Sequence, residues 1–273
     1  MLARLVALVV PAVALTAALA APPQALASTP CRAASGSLTQ PLVELYTSEG
    51  CDSCPPADRW FAQRFGHGIA GVPLAFHVDY WDRLGWSDRF ATHANTERQY
   101  QAMRENGASF VYTPQVLVQG RDVPQWENGA DAAIDSASRQ PARARLSLEA
   151  RSASDAYGDA GRDTGVDVHV RAEVPDPALA RGAEVFVAWA DSGLVSEVKA
   201  GENRGVRLVH AHVVRALWRL GAVDARGGFD GDAHFQHPTE AGRDPTLVAF
   251  VQRVANGDVL QALALPLDAC AAR

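Results

Sequence analysis

Two cysteines with two residues between them, Cys51 and Cys54, limit how the first part of this chain can fold. The apolar run Leu42–Thr47 precedes the pair and is typical of a strand, and residues 57–65 follow it with aromatic side chains on one helical face. This order places both sulfurs at the N-terminus of a helix. Unpaired backbone N–H groups and the helix dipole stabilise a thiolate there, which suits thiol–disulfide exchange.

Two prolines, Pro55 and Pro56, directly follow the second cysteine. Because a helix tolerates proline only in its first turn, we predict that the helix begins at Ser53 or Cys54. Cys51 then lies slightly before the helix, within reach of its N-terminal amides. Two other interpretations of the pair stay open. Half of a zinc site would need further ligands, and no other CxxC or CxxH is present; a purely structural disulfide would gain little from so short a loop.

The first residues have the pattern of a secretory signal peptide. Arg4 is followed by an apolar run over residues 5–20 and by a small-x-small site at residues 25–27, which a signal peptidase would accept. We expect residues 1–27 to be removed and the mature chain to be periplasmic or secreted, with no membrane contact after cleavage. A retained anchor is the alternative, but Pro11 and the cleavage site argue against it.

The remaining two cysteines, Cys31 and Cys270, lie near the two ends of the mature chain. In an exported protein such thiols tend to become disulfides, so a staple between them is predicted, and two unrelated thiols are the alternative. The formal net charge is -6 without a cluster of Lys or Arg, so we expect no nucleic-acid partner.

The first half of the mature chain alternates strand-like and helix-like segments. Strands are predicted over residues 42–47, 72–78 and 116–118, and helices over residues 57–65 and 127–138, with weak helical spacing between 88 and 106. This alternation predicts an α/β domain with a partly parallel sheet over residues 36–140.

The second half has a different texture, which predicts a mainly β, sandwich-like domain over residues 141–270. Short alternating runs are separated by Gly, Pro and Asp clusters, and Asn256-Gly257 gives a strong hairpin signal. Residues 208–220 could instead form a helix by their Leu, Ala and Arg content. Residues 226–245 look like a loop.

Thr113-Pro114 immediately precedes the third predicted strand. A proline at the first residue of a strand can be an edge feature. In a fold with a CxxC on its first helix, however, a cis peptide at this position would present backbone to the disulfide and to an extended substrate. We therefore predict a cis bond here.

These motifs together resemble the thioredoxin and glutaredoxin superfamily, and more closely the DUF1223 family, secreted bacterial proteins with a thioredoxin-like domain and no established function. The segments that carry the resemblance are residues 44–58 (ELYTSEGCDSCPPAD), 75–86 (AFHVDYWDRLGW), 111–115 (VYTPQ), 201–205 (GENRG) and 213–215 (VVR).

The resemblance implies a thioredoxin-like fold, export, and a role for individual residues. Cys51 would be the attacking thiol, Cys54 the resolving thiol and Pro114 the cis-proline. Thr113 and Tyr112, beside that proline, would contact substrate.

Two positions depart from ordinary thioredoxins. Glu44 resembles the buried acid that relays a proton to the resolving cysteine, but the connection to the CxxC is one residue longer; the alternative is an exposed carboxylate. Gly50 replaces the aromatic residue that usually precedes the first cysteine. We therefore expect Gly50 to leave the Cys51 thiol open to substrate.

The function predicted from the sequence is an exported thiol–disulfide oxidoreductase that acts on protein or small-molecule thiols and disulfides without a cofactor. A copper-binding or metal-delivery protein is the first alternative, with Cys51, Cys54 and His77 as ligands, because His77 ends the second strand on the CxxC edge of the sheet. A non-enzymatic thioredoxin-like binding module is the second.

Overall fold

The structure is a computed structural model that describes residues 31–66, 70–154 and 163–271. The predicted signal peptide, residues 1–27, lies outside the described residues.

The described residues form fourteen strands and five α-helices. The strands are β1 (Cys31–Ala34), β2 (Leu42–Thr47), β3 (Val72–His77), β4 (Gln115–Val118), β5 (Arg121–Asp122), β6 (Arg145–Ser154), β7 (Asp163–Glu173), β8 (Ala183–Ser192), β9 (Leu194–Glu197), β10 (Arg207–His210), β11 (Val213–Ala222), β12 (Gly228–Phe235), β13 (Arg243–Arg253) and β14 (Val259–Pro266). The helices are α1 (Pro55–Phe65), α2 (His93–Glu105), α3 (Trp126–Ser138), α4 (Pro177–Ala180) and α5 (Asp268–Ala271).

The largest sheet has eight strands in the order β14-β13-β8-β11-β3-β2-β4-β5. Strand β2 pairs in parallel with β3 and antiparallel with β4. The far edge of β3 pairs in parallel with β11, where Val213 lies opposite Ala75. The sheet therefore continues from the first half of the chain into the second.

Strand β2 is buried on both faces, because helices cover each side of it. Val43 and Leu45 pack with Phe61 of α1 on one face, which α3 also covers. Tyr46 points to the opposite face and belongs to the same cluster as Ala102 of α2. This arrangement positions the N-terminus of α1 directly after the end of β2.

A second sheet has four strands in the order β1-β6-β7-β12. It packs against the part of the large sheet formed by β8, β13 and β14, and the interface between them is a continuous apolar core. Burial of such side chains stabilises the fold by roughly 25 cal/mol per Å² of apolar surface. Representative core residues are Leu148, Val170, Val187, Leu247 and Leu260.

The chain leaves the large sheet between β8 and β11 to form a separate two-stranded ribbon, β9 and β10. Gly193 precedes the ribbon and His212 follows it, and both have left-handed backbone, with φ of 67° and 56°. The loop 198–206 joins the two strands and lies near the CxxC.

The predicted fold class, a thioredoxin-like α/β domain followed by a mainly β domain, is wrong. Strands hold 43% of the described residues and helices 21%, and one eight-stranded sheet contains strands from both halves. Phe76 and Phe250, from either side of residue 140, share one core cluster. Sequence patterning reports which segments are strands but not which distant strand covers an open edge, so the pairing of β3 with β11 was not foreseen.

Local predictions fared better than the pairing of distant strands. The strand at Leu42–Thr47 and the turn at Gly257 are present, and the residue before α1 is Cys54. Residues 208–220 are not a helix; they include the end of β10 and most of β11. Strand β12 lies inside residues 226–245, which were predicted as a loop, because its short Gly- and Asp-rich sequence gives no strand signal.

Candidate functional site

The cysteine pair lies at the N-terminus of α1 and is joined as a disulfide. Cys54 is the helix N-cap, and the backbone N–H groups of Ala57 and Asp58 donate to its carbonyl oxygen. Pro55 occupies the first helical position, where its missing N–H leaves no partner unsatisfied. The local sequence thus fixes the helix start at the disulfide.

The Thr113–Pro114 peptide bond is cis, and it lies against the disulfide. The Thr113 hydroxyl donates to the Cys51 sulfur over 3.3 Å and accepts from the indole N–H of Trp81 over 2.8 Å. The Ser53 hydroxyl lies 3.4 Å from the same sulfur and donates to the Thr113 carbonyl. Cys51 is therefore the sulfur that faces the cis-proline loop.

Tyr112, predicted as a substrate contact, is held from both ends. Its hydroxyl donates to Asp122 over 2.9 Å, and its carbonyl accepts from Gln99. The exposed ring of Phe110 is the aromatic neighbour, with centroids 6.2 Å apart. These contacts tie the side chain of Tyr112 to the β5 side of the loop, while Thr113 contacts the cysteine.

The expectation that Gly50 leaves the Cys51 thiol open is wrong. Both cysteines are 0% exposed, and Gly50 is itself buried. A β-carbon at Gly50 would lie 3.1 Å from the β-carbon of Trp81, so the glycine allows Trp81 to close over this segment. The absence of a side chain at position 50 is visible in the sequence, whereas the neighbour that fills the space, Trp81, is not.

Glu44 lies on the opposite face of β2 from α1, the face that Tyr46 and α2 share. Its carboxylate, 1% exposed, accepts from Arg98 of α2 over 2.7 Å. The Arg98 guanidinium lies over the ring of Phe250. This placement pairs Glu44 with a buried cation and directs its carboxylate away from the helix that carries the cysteines.

A network of buried acids and histidines lies beneath the CxxC. His77, at the end of β3, is hydrogen-bonded to Asp88 with Nδ1 and Oδ2 2.6 Å apart. His210 of β10 is hydrogen-bonded to Glu49, with 3.1 Å between Nε2 and Oε1. The two imidazole rings contact each other edge to face, with centroids 4.9 Å apart.

The pairing decides the charge states of these groups. Burial alone would lower the pKa of His77, but the Asp88 carboxylate outweighs it and raises that pKa. Burial would raise the pKa of Asp88, and the His77 imidazole and backbone N–H donors lower it instead. For Glu49, burial is likewise outweighed by the His210 bond, so its pKa is lowered. The lowered pKa values of Asp88 and Glu49 favour their ionised forms despite burial.

Asp58 is the carboxylate that lies one helical turn after the resolving cysteine. It follows Cys54 by four residues, so both lie on one face of α1. The Thr47 hydroxyl donates to its Oδ1 over 2.8 Å. Burial raises the pKa of Asp58, although His210 and His77 oppose the shift. A carboxyl group in this state can exchange a proton closer to neutral pH than an exposed aspartate.

His77, the third ligand of the copper alternative, is hydrogen-bonded to Asp88 and packed against His210. Among residues 31–66, 70–154 and 163–271, no group of three or more His, Cys, Asp or Glu side chains has the arrangement of a metal site. The copper site stays a prediction.

The loop 198–206 contacts the backbone of the CxxC segment from the side of the ribbon. The Asn203 side-chain amide donates to the carbonyl oxygens of Glu49 and Cys51 over 3.0 and 2.8 Å. The carboxylate of Glu202 accepts from the backbone N–H of Asp52. Asn203 is only 5% exposed, so this contact is a buried one.

Sequence reasoning assigned no role to most of these residues. The residues without a role are Glu49, Asp58, Asp88, Asn203 and His210. The four-residue spacing from Cys54 was the available signal for Asp58. Glu49 and Asn203 lie in the segments 44–58 and 201–205 that carry the family resemblance, and Asp88 and His210 come from segments distant in sequence.

A protein-family model, described as "Protein of unknown function (DUF1223)", matches residues 42–252. The chain belongs to this family. Residues 42–252 include the CxxC, the cis-proline loop, the buried network and the ribbon. The DUF1223 match therefore spans the whole candidate site.

Solved structures with similar folds include an X-ray crystal structure of protein AGR_C_4864 from Agrobacterium tumefaciens, with 27% identity and a TM-score of 0.60. The alignment covers 85% of this DUF1223 chain and 96% of that one. HBP35 of Porphyromonas gingivalis also has a TM-score of 0.60, with 14% identity over 86% of this chain and 77% of that one, which is a likeness of fold alone. No curated protein matches the sequence.

A second disulfide joins Cys31 to Cys270 in this DUF1223 protein. It links β1 of the four-stranded sheet to α5, which follows the last strand of the large sheet. Two disulfides are typical of an oxidising environment outside the cytosol. Within the described ranges, no helix has the length and apolar character needed to cross a membrane.

Proposed function

We propose that this protein is an exported thiol–disulfide oxidoreductase and that Cys51 and Cys54 are its redox couple. The observation that carries the proposal is the position of the disulfide between a helix N-terminus and a cis-proline loop, with the Thr113 hydroxyl 3.3 Å from the Cys51 sulfur. Both surroundings favour a thiolate on Cys51 after reduction, one through the helix dipole and one through an O–H donor.

The exchange runs in two steps. In the reduced protein, the Cys51 thiolate attacks one sulfur of a substrate disulfide, that S–S bond breaks, and the departing sulfur leaves as a thiolate that takes a proton from water. The Cys54 thiolate then attacks the Cys51 sulfur, which re-forms the Cys51–Cys54 bond and releases the second substrate thiolate. Two electrons pass from the protein to the substrate, and the reverse sequence oxidises a substrate dithiol.

Asp58 is the group we assign to the proton of Cys54. The half-buried Asp58 carboxylate lies one helical turn after that residue and has a raised pKa. A general base with such a pKa can accept the Cys54 proton during the second step and return it during the reverse reaction. The role that the sequence suggested for Glu44 passes in this proposal to Asp58, because Glu44 pairs with Arg98 on the other face of β2.

The two disulfides support export to the periplasm or the extracellular space, where such bonds persist. Substrates in this proposal are thiols and disulfides of proteins or small molecules. No cofactor enters either step, because the electron pair that forms each new S–S bond comes from the attacking thiolate sulfur.

Trapping of the mixed disulfide tests the proposal. The variant Cys54→Ala cannot resolve the intermediate, so it should accumulate partners or a model disulfide peptide bound to Cys51, whereas Cys51→Ala should not. Wild-type protein should also equilibrate with a glutathione redox buffer at a defined potential. If neither variant traps and the wild type exchanges with neither peptide nor glutathione, the enzyme proposal fails and a non-enzymatic binding module takes its place.

A further inference from the structure

The loop that contacts the CxxC segment lies at the end of the two-stranded ribbon. We call residues 198–206 the lid. Its ends are joined by backbone bonds between Val198 and Val206 and between Gly205 and Val198, so the loop is a closed unit. Its tip contacts the CxxC segment through Asn203 and Glu202.

The covered disulfide cannot react in the form described. Cys51 and Cys54 are both 0% exposed; Trp81 packs beside the neighbouring Gly50, and Asn203 of the lid is hydrogen-bonded to the Cys51 carbonyl oxygen. A thiolate must approach a disulfide sulfur in order to attack it, so the rate of exchange depends on access. An exchange reaction at this site therefore requires a group to move away first.

We propose that the lid is a hinged gate over Cys51 and that Asn203 is its latch. The inference rests on the proposed function for its biological meaning, but the gate itself is a physical property of the fold.

The hinges lie where the ribbon leaves the large sheet. Gly193 and His212 bracket the ribbon, and both have left-handed backbone. The bond from Ala75 N–H to the His212 carbonyl fixes one hinge to β3, and His212 N–H donates to the Ser192 hydroxyl. Between the hinges, the ribbon strands β9 and β10 pair only with each other among the described strands. Few residues then need to change φ and ψ for the ribbon to tilt.

The base of the ribbon stays attached while the tip moves. His210 is bonded to Glu49, the Arg89 guanidinium donates to the Val195 carbonyl, and Leu194 packs with Phe90. The Asn203 amide lies at the far end and donates both of its hydrogen bonds to carbonyl oxygens beside the first cysteine. Loss of these two buried bonds adds to the cost of opening, so Asn203 lowers the fraction of time that Cys51 is accessible.

The rate at which a chemical reductant reduces each disulfide of the oxidised mature protein tests the gate. This measurement does not require the protein to have oxidoreductase activity. Each disulfide is reduced with a phosphine reductant, samples are quenched in acid, and differential alkylation with mass spectrometry follows the two disulfides separately. Asn203→Ala and the similar-sized Asn203→Leu both remove the donors. We expect each to speed reduction of Cys51–Cys54 by about tenfold, since two hydrogen bonds of ordinary strength are lost.

Two controls belong to the same experiment. Arg204→Ala changes an exposed side chain of the lid, and its Cys51–Cys54 disulfide should be reduced at the wild-type rate. The Cys31–Cys270 disulfide is an internal reference, and its rate should be equal in all four proteins. Wild-type rates for both Asn203 variants would overturn the gate. Equal acceleration of the two disulfides would also overturn it, because that result indicates general loosening of the fold.

The outcomes separate the gate from the enzyme. In one outcome, the Asn203 variants show faster reduction of Cys51–Cys54 while neither they nor the wild type exchange with glutathione disulfide. That result would support the gate and contradict the proposed function. If the wild type and the Asn203 variants exchange with glutathione disulfide at the same rate, the proposed function is supported and the gate is contradicted.

Discussion

The hydroxyl of Thr113 donates to the sulfur of Cys51 over 3.3 Å, across the cis bond that precedes Pro114. The same oxygen accepts from the Trp81 indole, so its proton is directed at the sulfur. In the reduced protein this donor would stabilise the thiolate form of Cys51. A single side chain therefore links the cis-proline loop, the aromatic cover and the sulfur proposed as nucleophile.

Removal of that donor should slow the chemistry of Cys51. In the reduced protein we expect Thr113→Val to lower the alkylation rate of Cys51 at neutral pH by about tenfold, since a hydrogen bond to a charged group is worth roughly 1.5–3 kcal/mol. Iodoacetamide labelling with mass spectrometry measures this rate. Thr113→Ser keeps the hydroxyl and should stay near the wild-type rate; equal losses in both variants would point to packing instead.

Asp58→Asn should slow the second step of exchange. If its carboxylate accepts the Cys54 proton, single-turnover resolution of a mixed disulfide at pH 6 should fall by about tenfold or more, as general-base catalysis typically contributes at least 10². Above about pH 9 a free thiol loses its proton to water, so the loss should shrink there. Asp52→Asn, an exposed carboxylate between the cysteines, is the matched control. A loss of the same size at both pH values would contradict a proton-transfer role.

The parts of the site that the sequence predicted are those fixed within a few residues. The helix start follows from the two prolines, and the cis bond was expected from Thr113-Pro114 beside a strand. The direction of Glu44 could not be predicted, because β2 is apolar on both faces and has no alternating pattern. What decides its direction is Arg98, which lies 54 residues later in the chain.

The contacts between the ribbon and the CxxC segment could not be predicted from the sequence either. Asn203 meets the carbonyl of Cys51 across 152 residues, and His210 meets Glu49 across 161. Contacts of this kind depend on the topology of the large sheet, which brings β11 beside β3 and so carries the ribbon to the CxxC edge. Sequence periodicity carries no information about pairing between distant strands. For the same reason, the strands of one sheet were assigned to two expected domains.

Loss of the Cys31–Cys270 disulfide should destabilise the whole fold. The bond closes a separation of 239 residues and ties β1 to the end of the chain beyond β14. For long loops the expected loss is about 2–5 kcal/mol of unfolding free energy. Urea unfolding of the double variant Cys31→Ser, Cys270→Ser against wild type measures it. An unchanged midpoint and slope would show that the staple contributes no stability.

His212 should make the fold sensitive to mild acid. Its imidazole packs edge to face against Phe61 and Phe65 of α1, and burial lowers its pKa to about 4, with Asp244 opposing the shift. In the unfolded chain, the His212 imidazole binds a proton near pH 6.5, whereas in the folded chain it binds one only near pH 4. The contribution of His212 to the free energy of unfolding is fully present above pH 6.5 and is lost as the pH drops to 4. The total loss is about 3 kcal/mol, at 1.36 kcal/mol per pKa unit.

The variant His212→Asn isolates that contribution, because asparagine tolerates the left-handed backbone at this position. We expect its unfolding free energy, measured by urea titration from pH 7 to pH 4, to decline less steeply than that of the wild type. His93→Asn, at a histidine whose side chain is 78% exposed, should keep the wild-type slope. The difference between the His212→Asn and wild-type curves should grow only below pH 6.5. A constant offset across the range would mean that packing against α1, and not proton binding, accounts for the effect of the substitution.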